Sequence, residues 1–281
     1  MNSNWEGQRD SCNALGERQN ERTVMGQLSN GEMVLLVDSK DRRYLLSLVE
    51  GGEFHSHSGY IRHEDLVSTE EGKYVKSSNG KEYLVVRPTM SDVILKMPRA
   101  AQIIYPKDIG HILLAADIYP GVEVLESGIG SGALSIAMLR AGANITGYEL
   151  REDFAGRAKK NVIAYLGDDV ISKYRIEIRD IYEGISETGL DRVILDLPEP
   201  WNVVPHLPTS MVKGGIVVAY TPSITQAEKF RRALNPSEFV MQETFEVSIR
   251  NWHIEGQAVR PEHRMVAHTG FVTHARYVSG L

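Results

Sequence analysis

The chain has 281 residues, with 31 Lys and Arg against 37 Asp and Glu, which gives a formal net charge of −6 at pH 7. It carries one cysteine, Cys12, so we expect neither a disulfide framework nor a cysteine-rich zinc site. No apolar run is long enough to span a bilayer and the first twenty residues are polar, so we predict a cytoplasmic protein without a membrane segment or secretory signal.

The first part of the chain is predicted to hold a tail and a small β domain. Residues 1–25 are polar and aperiodic, and we interpret them as a disordered tail. Residues 26–97 contain short apolar runs separated by polar turns, which predicts an all-β domain. Asn79-Gly80 between two such runs favours a type I′ hairpin turn, with positive φ at both residues. The four predicted strands are Met33–Val37, Tyr44–Val49, Lys73–Ser77 and Glu82–Val86.

After a proline-containing connector, Pro88–Asp108, strands alternate with helices, which predicts βαβ units and a parallel sheet. Residues 98–281 are therefore assigned to one Rossmann-like α/β domain. Its last two extended segments, Phe239–Ile249 and Thr269–Val278, are expected to close the sheet as an antiparallel pair. The other predicted strands are Val122–Glu126, Asn144–Glu149, Arg175–Arg179, Arg192–Leu197 and Ile216–Tyr220. The predicted helices are Ile109–Ile118, Gly132–Arg140, Asp153–Leu166, Asn202–Val212 and Ile224–Leu234.

A glycine-rich turn, Gly128-Ile-Gly130-Ser-Gly132, lies between the first of these strands and a helix. Glycine allows positive φ and close approach of a ligand to the backbone, and the helix start offers free N–H groups. Glu149 ends the next strand, where an acid can accept both ribose hydroxyls or can simply start the following helix. Because the spacing to Ala133 also satisfies the dinucleotide fingerprint, an NAD-dependent oxidoreductase remains an alternative.

Two further acids follow strand ends, where ligands bind in open α/β sheets. Asp180 could receive the exocyclic amino group of an adenine, or it could cap the following turn. Asp196 precedes Pro198 and Pro200, which stiffen the loop, and Trp201, whose flat face could stack on a base. Such a loop suits methylation of a base nitrogen; a purely structural turn with a buried tryptophan is the alternative.

The negative net charge argues against nucleic-acid binding by the chain as a whole, but a local basic patch is sufficient. The last 32 residues are such a patch, with four arginines and four histidines against two glutamates. They could contact RNA, or they could be a solvated edge of the sheet. No metal-binding motif is present, so no metal is predicted.

These motifs together resemble the tRNA (adenine-N1)-methyltransferase family that modifies adenine 58 in the T-loop, in its bacterial and archaeal homo-oligomeric form. The resemblance extends from about Gly31 to Arg276. The segments that carry it are Phe54–Gly59, Pro98–Asp108, Val124–Leu134, Tyr148-Glu149, Arg179-Asp180, Leu195–Trp201, Ile224–Gln226, Asn251-Trp252, Val259–Pro261 and His268–Phe271.

The resemblance implies a Rossmann-like methyltransferase that uses S-adenosyl-L-methionine, binds tRNA and forms a homotetramer. It implies catalytic roles for Asp196 and Tyr105, and we take Trp201, Arg260 and His268 as candidate tRNA contacts. The implied cofactor-binding residues are Gln102, Gly128, Gly130, Ser131, Gly132, Ala133, Leu134, Glu149, Phe154, Asp180 and Asp196. A methyltransferase for another substrate and a non-catalytic tRNA-binding subunit also remain open.

Overall fold

The protein is described by a computed structural model over residues 26–99 and 102–279, so the predicted tail, 1–25, lies outside the described residues. The first part of the chain forms a four-stranded antiparallel sheet, in the order β2-β1-β6-β5, and a separate hairpin of β3 and β4. Leu36, Leu48, Ile61 and Tyr83 are fully buried between them. The elements are β1 Met33–Asp38, β2 Arg43–Ser47, β3 Glu53–Ser56, β4 Gly59–Arg62, helix α1 His63–Leu66, β5 Tyr74–Lys76 and β6 Glu82–Val86.

The four predicted strands are confirmed, but the turn type is not. Gly80 has a φ of +74°, whereas Asn79 is not in the positive-φ region, so the β5–β6 turn is not type I′. The Gly80 N–H donates to the Ser77 carbonyl and the Ser77 N–H to the Lys81 carbonyl, both at 2.8 Å. This is a type I turn followed by a left-handed glycine, which needs positive φ at one residue only.

The predicted connector contains a helix, α2, at Met90–Lys96. This helix was not predicted, because Pro88, Pro98 and Pro106 favoured an irregular segment. Thr89 and Asp92 form a reciprocal capping box: the Thr89 hydroxyl accepts from the Asp92 N–H, and the Asp92 carboxylate accepts from the Thr89 N–H. Val93 and Ile94 pack into the core of the larger sheet rather than that of the β region. The division of the chain at residue 97 remains a prediction.

The second part of the chain is built on a seven-stranded sheet in the order β12-β15-β11-β10-β7-β8-β9. The five strands from β11 to β9 are parallel, and β15 runs antiparallel between β11 and β12, as predicted. Its strands are β7 Glu123–Ser127, β8 Asn144–Glu149, β9 Tyr174–Ile178, β10 Leu190–Leu195, β11 Met211–Thr221, β12 Phe239–Phe245 and β15 Phe271–Tyr277. The helices are α3 Pro106–Ala115, α4 Ala133–Arg140, α5 Glu152–Leu166, α6 Leu207–Ser210 and α7 Ile224–Ala233, with a 3-10 helix at Asp168–Lys173 and another at Ile181–Glu183.

One predicted helix, Asn202–Val212, is wrong. The chain forms 3-10 turns at Pro200–Asn202 and Val204–His206 and then the single turn α6, and β11 already begins at Met211. Pro205 and Pro208 lack the N–H that a continuous helix would use. The last 32 residues also contain an unpredicted hairpin, β13 Trp252–Glu255 with β14 Ala258–Pro261, which lies outside the main sheet.

The strand order determines where a ligand can bind. From β7 the chain continues to β8 and β9 on one side, whereas β10 lies on the other side of β7. The connections therefore diverge between β7 and β10, which opens a crevice at the carboxyl ends of these strands. Apolar side chains cover both faces of the sheet around it. Over the described residues, no helix is both long enough and apolar enough to cross a membrane.

Candidate active site

The glycine-rich turn follows β7 and lies against the end of β10. Gly128 has a φ of +85°, and a Cβ atom there would overlap the Asp196 carbonyl oxygen and lie 2.9 Å from its carbonyl carbon. The Asp196 N–H donates to the Ser127 carbonyl at 2.9 Å, so the two strand ends are joined. Only glycine fits this contact, which brings the loop and Asp196 to one place.

An inner pocket lies between the glycine turn, the first turn of α4 and the segment that precedes α3. Two carboxyl groups line it, those of Glu126 and Asp196, and none of the described residues in its wall is Lys, Arg or His. The predicted cofactor residues in the wall are Gln102, Gly128, Gly130, Ser131, Ala133, Leu134 and Asp196. An acidic wall without basic side chains favours a cationic ligand.

Burial changes the acidity of both carboxyl groups. Glu126 is 2% exposed, and desolvation, supported by the nearby Asp196 and Glu149 carboxylates, raises its pKa to about 8 against the effect of the Ser135 hydrogen bond. That hydrogen bond runs from the Ser135 hydroxyl to Glu126 Oε2 at 2.6 Å. Desolvation raises the pKa of Asp196 to about 7. Shifts of this size in a cleft are typical of functional sites.

A wider cleft of about 630 Å³ opens from Gly128 over the ends of β8 and β9, and Glu149, Asp180 and Trp201 line it. The buried Glu149 carboxylate accepts the Gly130 N–H at 3.1 Å and the Arg151 N–H at 3.0 Å, which holds the glycine turn against β8. Each carboxylate oxygen can accept more than one hydrogen bond, so capacity for ribose hydroxyls remains.

Asp180 and Trp201 both line the wide cleft. Asp180 Oδ1 accepts the Tyr182 N–H at 2.9 Å, so the capping role considered from the sequence is present. The Trp201 ring is partly exposed, and the Lys229 ammonium lies 4.9 Å from its centroid. A base that stacks on this ring would meet a positive charge from α7.

Five predicted site residues do not line either pocket. Gly132 caps α4, and Tyr105 caps α3 with a partly exposed side chain. Phe154 lies in the first turn of α5 beneath the Arg151 guanidinium, at 3.7 Å. Arg260 lies on β14, and His268 lies beyond the hairpin, where its ring nitrogens contact Glu246 Oε2 and the Pro222 carbonyl at 3.0 Å.

Two residues near the site were not predicted. From the sequence, Glu126 is only the last residue of the predicted strand Val122–Glu126, although an acid at the end of a buried strand before a glycine turn is a signal that could have indicated it. Tyr220 follows Ala219, the β11 partner of Leu195, so it lies beside Asp196 at the carboxyl end of the sheet. Burial raises the pKa of Tyr220, and the nearby Asp108 and Asp196 carboxylates raise it further. Finding Tyr220 requires the strand order.

Comparisons with known proteins identify the family. A profile described as the tRNA methyltransferase complex GCD14 subunit matches residues 82–260, and a TrmI-like N-terminal profile matches residues 26–75. The chain belongs to the tRNA (adenine-58-N1)-methyltransferase family. TrmI of Thermus thermophilus is 34% identical over 86% of this chain and 96% of its own length. The adenine-57/adenine-58 enzyme TrmI of Methanocaldococcus jannaschii is 36% identical over 86% and 94%.

Solved structures agree with the family on the fold. A Thermotoga maritima protein described as an S-adenosylmethionine-dependent O-methyltransferase matches with a TM-score of 0.84 and 30% identity over 91% of this chain and 96% of its own. TrmI of Aquifex aeolicus matches with a TM-score of 0.76 and 26% identity over 90% and 99%. The predicted Rossmann-like methyltransferase fold with a small N-terminal β region is thus confirmed. Within the described residues, no cluster of His, Cys, Asp and Glu could hold a metal ion.

Proposed function

We propose that this chain transfers the methyl group of S-adenosyl-L-methionine to N1 of adenine 58 in the T-loop of tRNA. The observation that carries the proposal is the inner pocket, which is lined by the glycine turn, the buried Glu126 and the partly buried Asp196, with no basic side chain among the described residues in the wall. S-adenosyl-L-methionine carries a sulfonium and an ammonium group against one carboxylate, so its net charge is positive, as suits a wall that offers carboxyl groups and no basic side chain. The named activities of the bacterial and archaeal relatives supply the substrate.

The same pocket argues against an NAD-dependent oxidoreductase. A dinucleotide would place its pyrophosphate at the glycine turn, next to the helix start. Here the carboxyl groups of Glu126 and Asp196 line that space, so a pyrophosphate would meet no basic side chain, and its negative charge would raise the pKa of both groups further instead of gaining an attractive partner. The loop therefore satisfies the dinucleotide spacing but not its electrostatics.

For the cofactor, we carry the roles implied by the resemblance onto this geometry. The turn from Gly128 and the residues 131–134 hold the methionine part, with Gln102 and Tyr105 as a lid. Glu149 holds the ribose, with Phe154 nearby, and Asp180 accepts the adenine amino group. Glu149 and Asp180 line the wide cleft of about 630 Å³, and Gly128 lines both this cleft and the inner pocket. The inner pocket holds only about 20 Å³, so it has to widen when the methionine part binds.

The reaction needs little covalent chemistry from the protein. When bound, S-adenosyl-L-methionine would supply an electrophilic methyl group for the N1 lone pair of adenine, and its sulfur would keep the electrons of the broken S–C bond. Holding both reactants in place can contribute on the order of 7–11 kcal/mol. Asp196 accepts a hydrogen bond from N6, which stabilises the positive charge that develops on the ring. With a pKa of about 7, its carboxylate is also suited to take that proton.

The T-loop adenine has to leave its stacked position to reach this pocket. Trp201, with Lys229 beside its ring, is a platform on which an extruded base could stack. Arg260 and His268, which line neither pocket, remain candidate contacts for tRNA phosphates. Hydrogen bonds to the Pro222 carbonyl and the Glu246 carboxylate raise the pKa of His268, which favours its charged form.

We also propose that the protein acts as a homotetramer, as the resemblance implies. The exposed β13–β14 hairpin supports an assembly, because Trp252, Ile254 and Val259 are 57%, 74% and 62% exposed. Such a projecting apolar hairpin is typical of a surface that a partner covers.

The decisive experiment is to map the methylated nucleotide in tRNA after incubation with the protein and S-adenosyl-L-methionine, beside an Asp196→Ala variant. We expect methylation at N1 of adenine 58. Asp196→Ala should retain cofactor binding by calorimetry but lose at least about 100-fold in turnover, the usual scale of a lost acid-base group. Asp196→Asn is the matched control for shape. Near-normal turnover of Asp196→Ala, or methyl transfer to protein instead of tRNA, would contradict the proposal.

A further inference from the structure

Lys107 and Asp108 form a buried ion pair at the start of α3. Asp108 is fully buried, and the Lys107 side chain is 9% exposed. Lys107 Nζ donates to Asp108 Oδ1 at 2.8 Å, to the Val247 carbonyl at 2.6 Å and to Thr269 Oγ1 at 2.6 Å. All three hydrogens of the ammonium group are thus used.

The pair connects the two ends of one excursion of the chain. Val247 follows β12 and Thr269 precedes β15, and these strands are neighbours in the main sheet. The residues between them, 248–268, leave the sheet and contain the exposed β13–β14 hairpin. Lys107 therefore anchors both bases of this excursion to the start of α3.

The pair also contacts a residue at the active site. The second oxygen of Asp108 accepts the Thr269 hydroxyl at 2.6 Å and the Tyr220 hydroxyl at 3.4 Å. The Tyr220 ring also lies against Gly270, where an added Cβ atom would be 2.6 Å from the Tyr220 oxygen. Tyr220 and Asp196 each follow one residue of the last pair between β11 and β10, Ala219 and Leu195, and the Asp196 carboxylate contributes to the raised pKa of Tyr220. One network thus extends from the excursion to the strand end that carries Asp196.

We propose that Lys107 and Asp108 are a positioning pair that fixes the Tyr220 hydroxyl beside Asp196 and couples this placement to the anchoring of segment 248–268. The inference rests on the proposed function, since its kinetic consequence is measured on methyl transfer. Neither residue lines the inner pocket or the wide cleft. A buried charge pair is a poor source of net stability compared with apolar packing, so a role in holding one geometry explains its presence here.

A double-mutant cycle tests the kinetic half of the proposal. Asp108→Asn keeps the shape of the side chain but weakens its hold on the Tyr220 hydroxyl, and Tyr220→Phe removes that hydroxyl. We expect each single change to lower kcat about tenfold and the double change to lower it about tenfold as well, because both changes break the same contact. The KM for tRNA and the affinity for S-adenosylhomocysteine should change less than about threefold.

Asp92→Asn is the matched control for general destabilisation. Like Asp108, Asp92 is a buried carboxylate in an ion pair; its partner is Arg43, at 3.1 Å. Asp92 lies in α2 and lines neither pocket. Combined with Tyr220→Phe, it should give independent effects on kcat, whatever its effect on melting temperature. If Asp108→Asn and Tyr220→Phe are also independent, or if Asp108→Asn leaves kcat unchanged, the positioning role is overturned.

Hydrogen exchange tests the structural half without any turnover. Lys107→Met removes the three hydrogen bonds, so amides in 248–268 should exchange at least about tenfold faster, while the β1–β6 region is unchanged. Unchanged exchange in 248–268 would overturn the anchoring role. If the unaltered protein does not methylate tRNA, the proposed function fails instead, and the exchange result still decides whether the anchor exists.

Discussion

Replacing Glu126 with glutamine is the most direct test of the acidic pocket, because it removes one ionisable carboxyl group and keeps the shape of the side chain. The amide oxygen can still accept the Ser135 hydroxyl, which in turn receives the Tyr174 hydroxyl at 3.0 Å. The packing of the strand end is therefore retained, and the measured change reports the carboxyl group alone.

The magnitude follows from the shifted pKa. A pKa raised from 4.5 to about 8 means that ionising Glu126 costs the protein without cofactor up to about 5 kcal/mol. Because the pKa is raised, the contribution of Glu126 to the free energy of unfolding is fully present below pH 4.5 and is lost as the pH rises through about 8. Asp196, raised from 3.8 to about 7, acts in the same direction. The cofactor-free protein should therefore be progressively destabilised between pH 5 and 8.

Urea unfolding at a series of pH values measures this effect. We expect the free energy of unfolding of Glu126→Gln to fall less between pH 5 and 8 than that of the unaltered protein, by up to about 4 kcal/mol. Glu123→Gln, at the exposed start of the same strand, is the control and should keep the original slope. If the free energy of unfolding falls with pH at the same rate in all three proteins, the raised pKa of Glu126 is refuted.

Binding of a cationic ligand should offset the cost of ionising Glu126 and Asp196. In the unaltered protein, S-adenosyl-L-methionine should bind more tightly as the pH rises from 6 to 8 and should release protons, which calorimetry in two buffers detects. Glu126→Gln should release fewer. Identical proton release in both proteins would place the charge elsewhere.

The remaining predictions concern the glycine turn and the base platform. Gly128→Ala should weaken S-adenosylhomocysteine binding at least about tenfold, because positive φ alone costs about 1–2 kcal/mol and the new Cβ displaces the Asp196 backbone; unchanged affinity by calorimetry would refute the contact. Trp201→Ala should raise the KM for tRNA about tenfold or more, since stacking on one base is worth roughly 1–3 kcal/mol, whereas Trp201→Phe should largely retain it. If the KM for tRNA is unaltered in both variants, Trp201 does not contact tRNA.

Local patterns determined most of the architecture. The alternation of strands and helices, the glycine turn after β7 and the acids after β8, β9 and β10 are all legible along the chain, because each depends on neighbours within a few residues. The same patterns failed where short-range signals conflicted. Helix α2 was not predicted because its connector contains three prolines. A helix was wrongly predicted at 202–212 because the apolar spacing was given more weight than the two prolines that interrupt a helix there.

Only the tertiary structure decided which side chains meet. Pairing of β10 with both β7 and β11 places Asp196 between the glycine turn and Tyr220, residues separated by tens of positions in the chain. The contact of Lys107 with Val247 and Thr269 joins α3 to segments about 140 and 160 residues later. The raised pKa values of Glu126 and Asp196 have the same origin, since desolvation depends on every element packed around a group and not on its own segment.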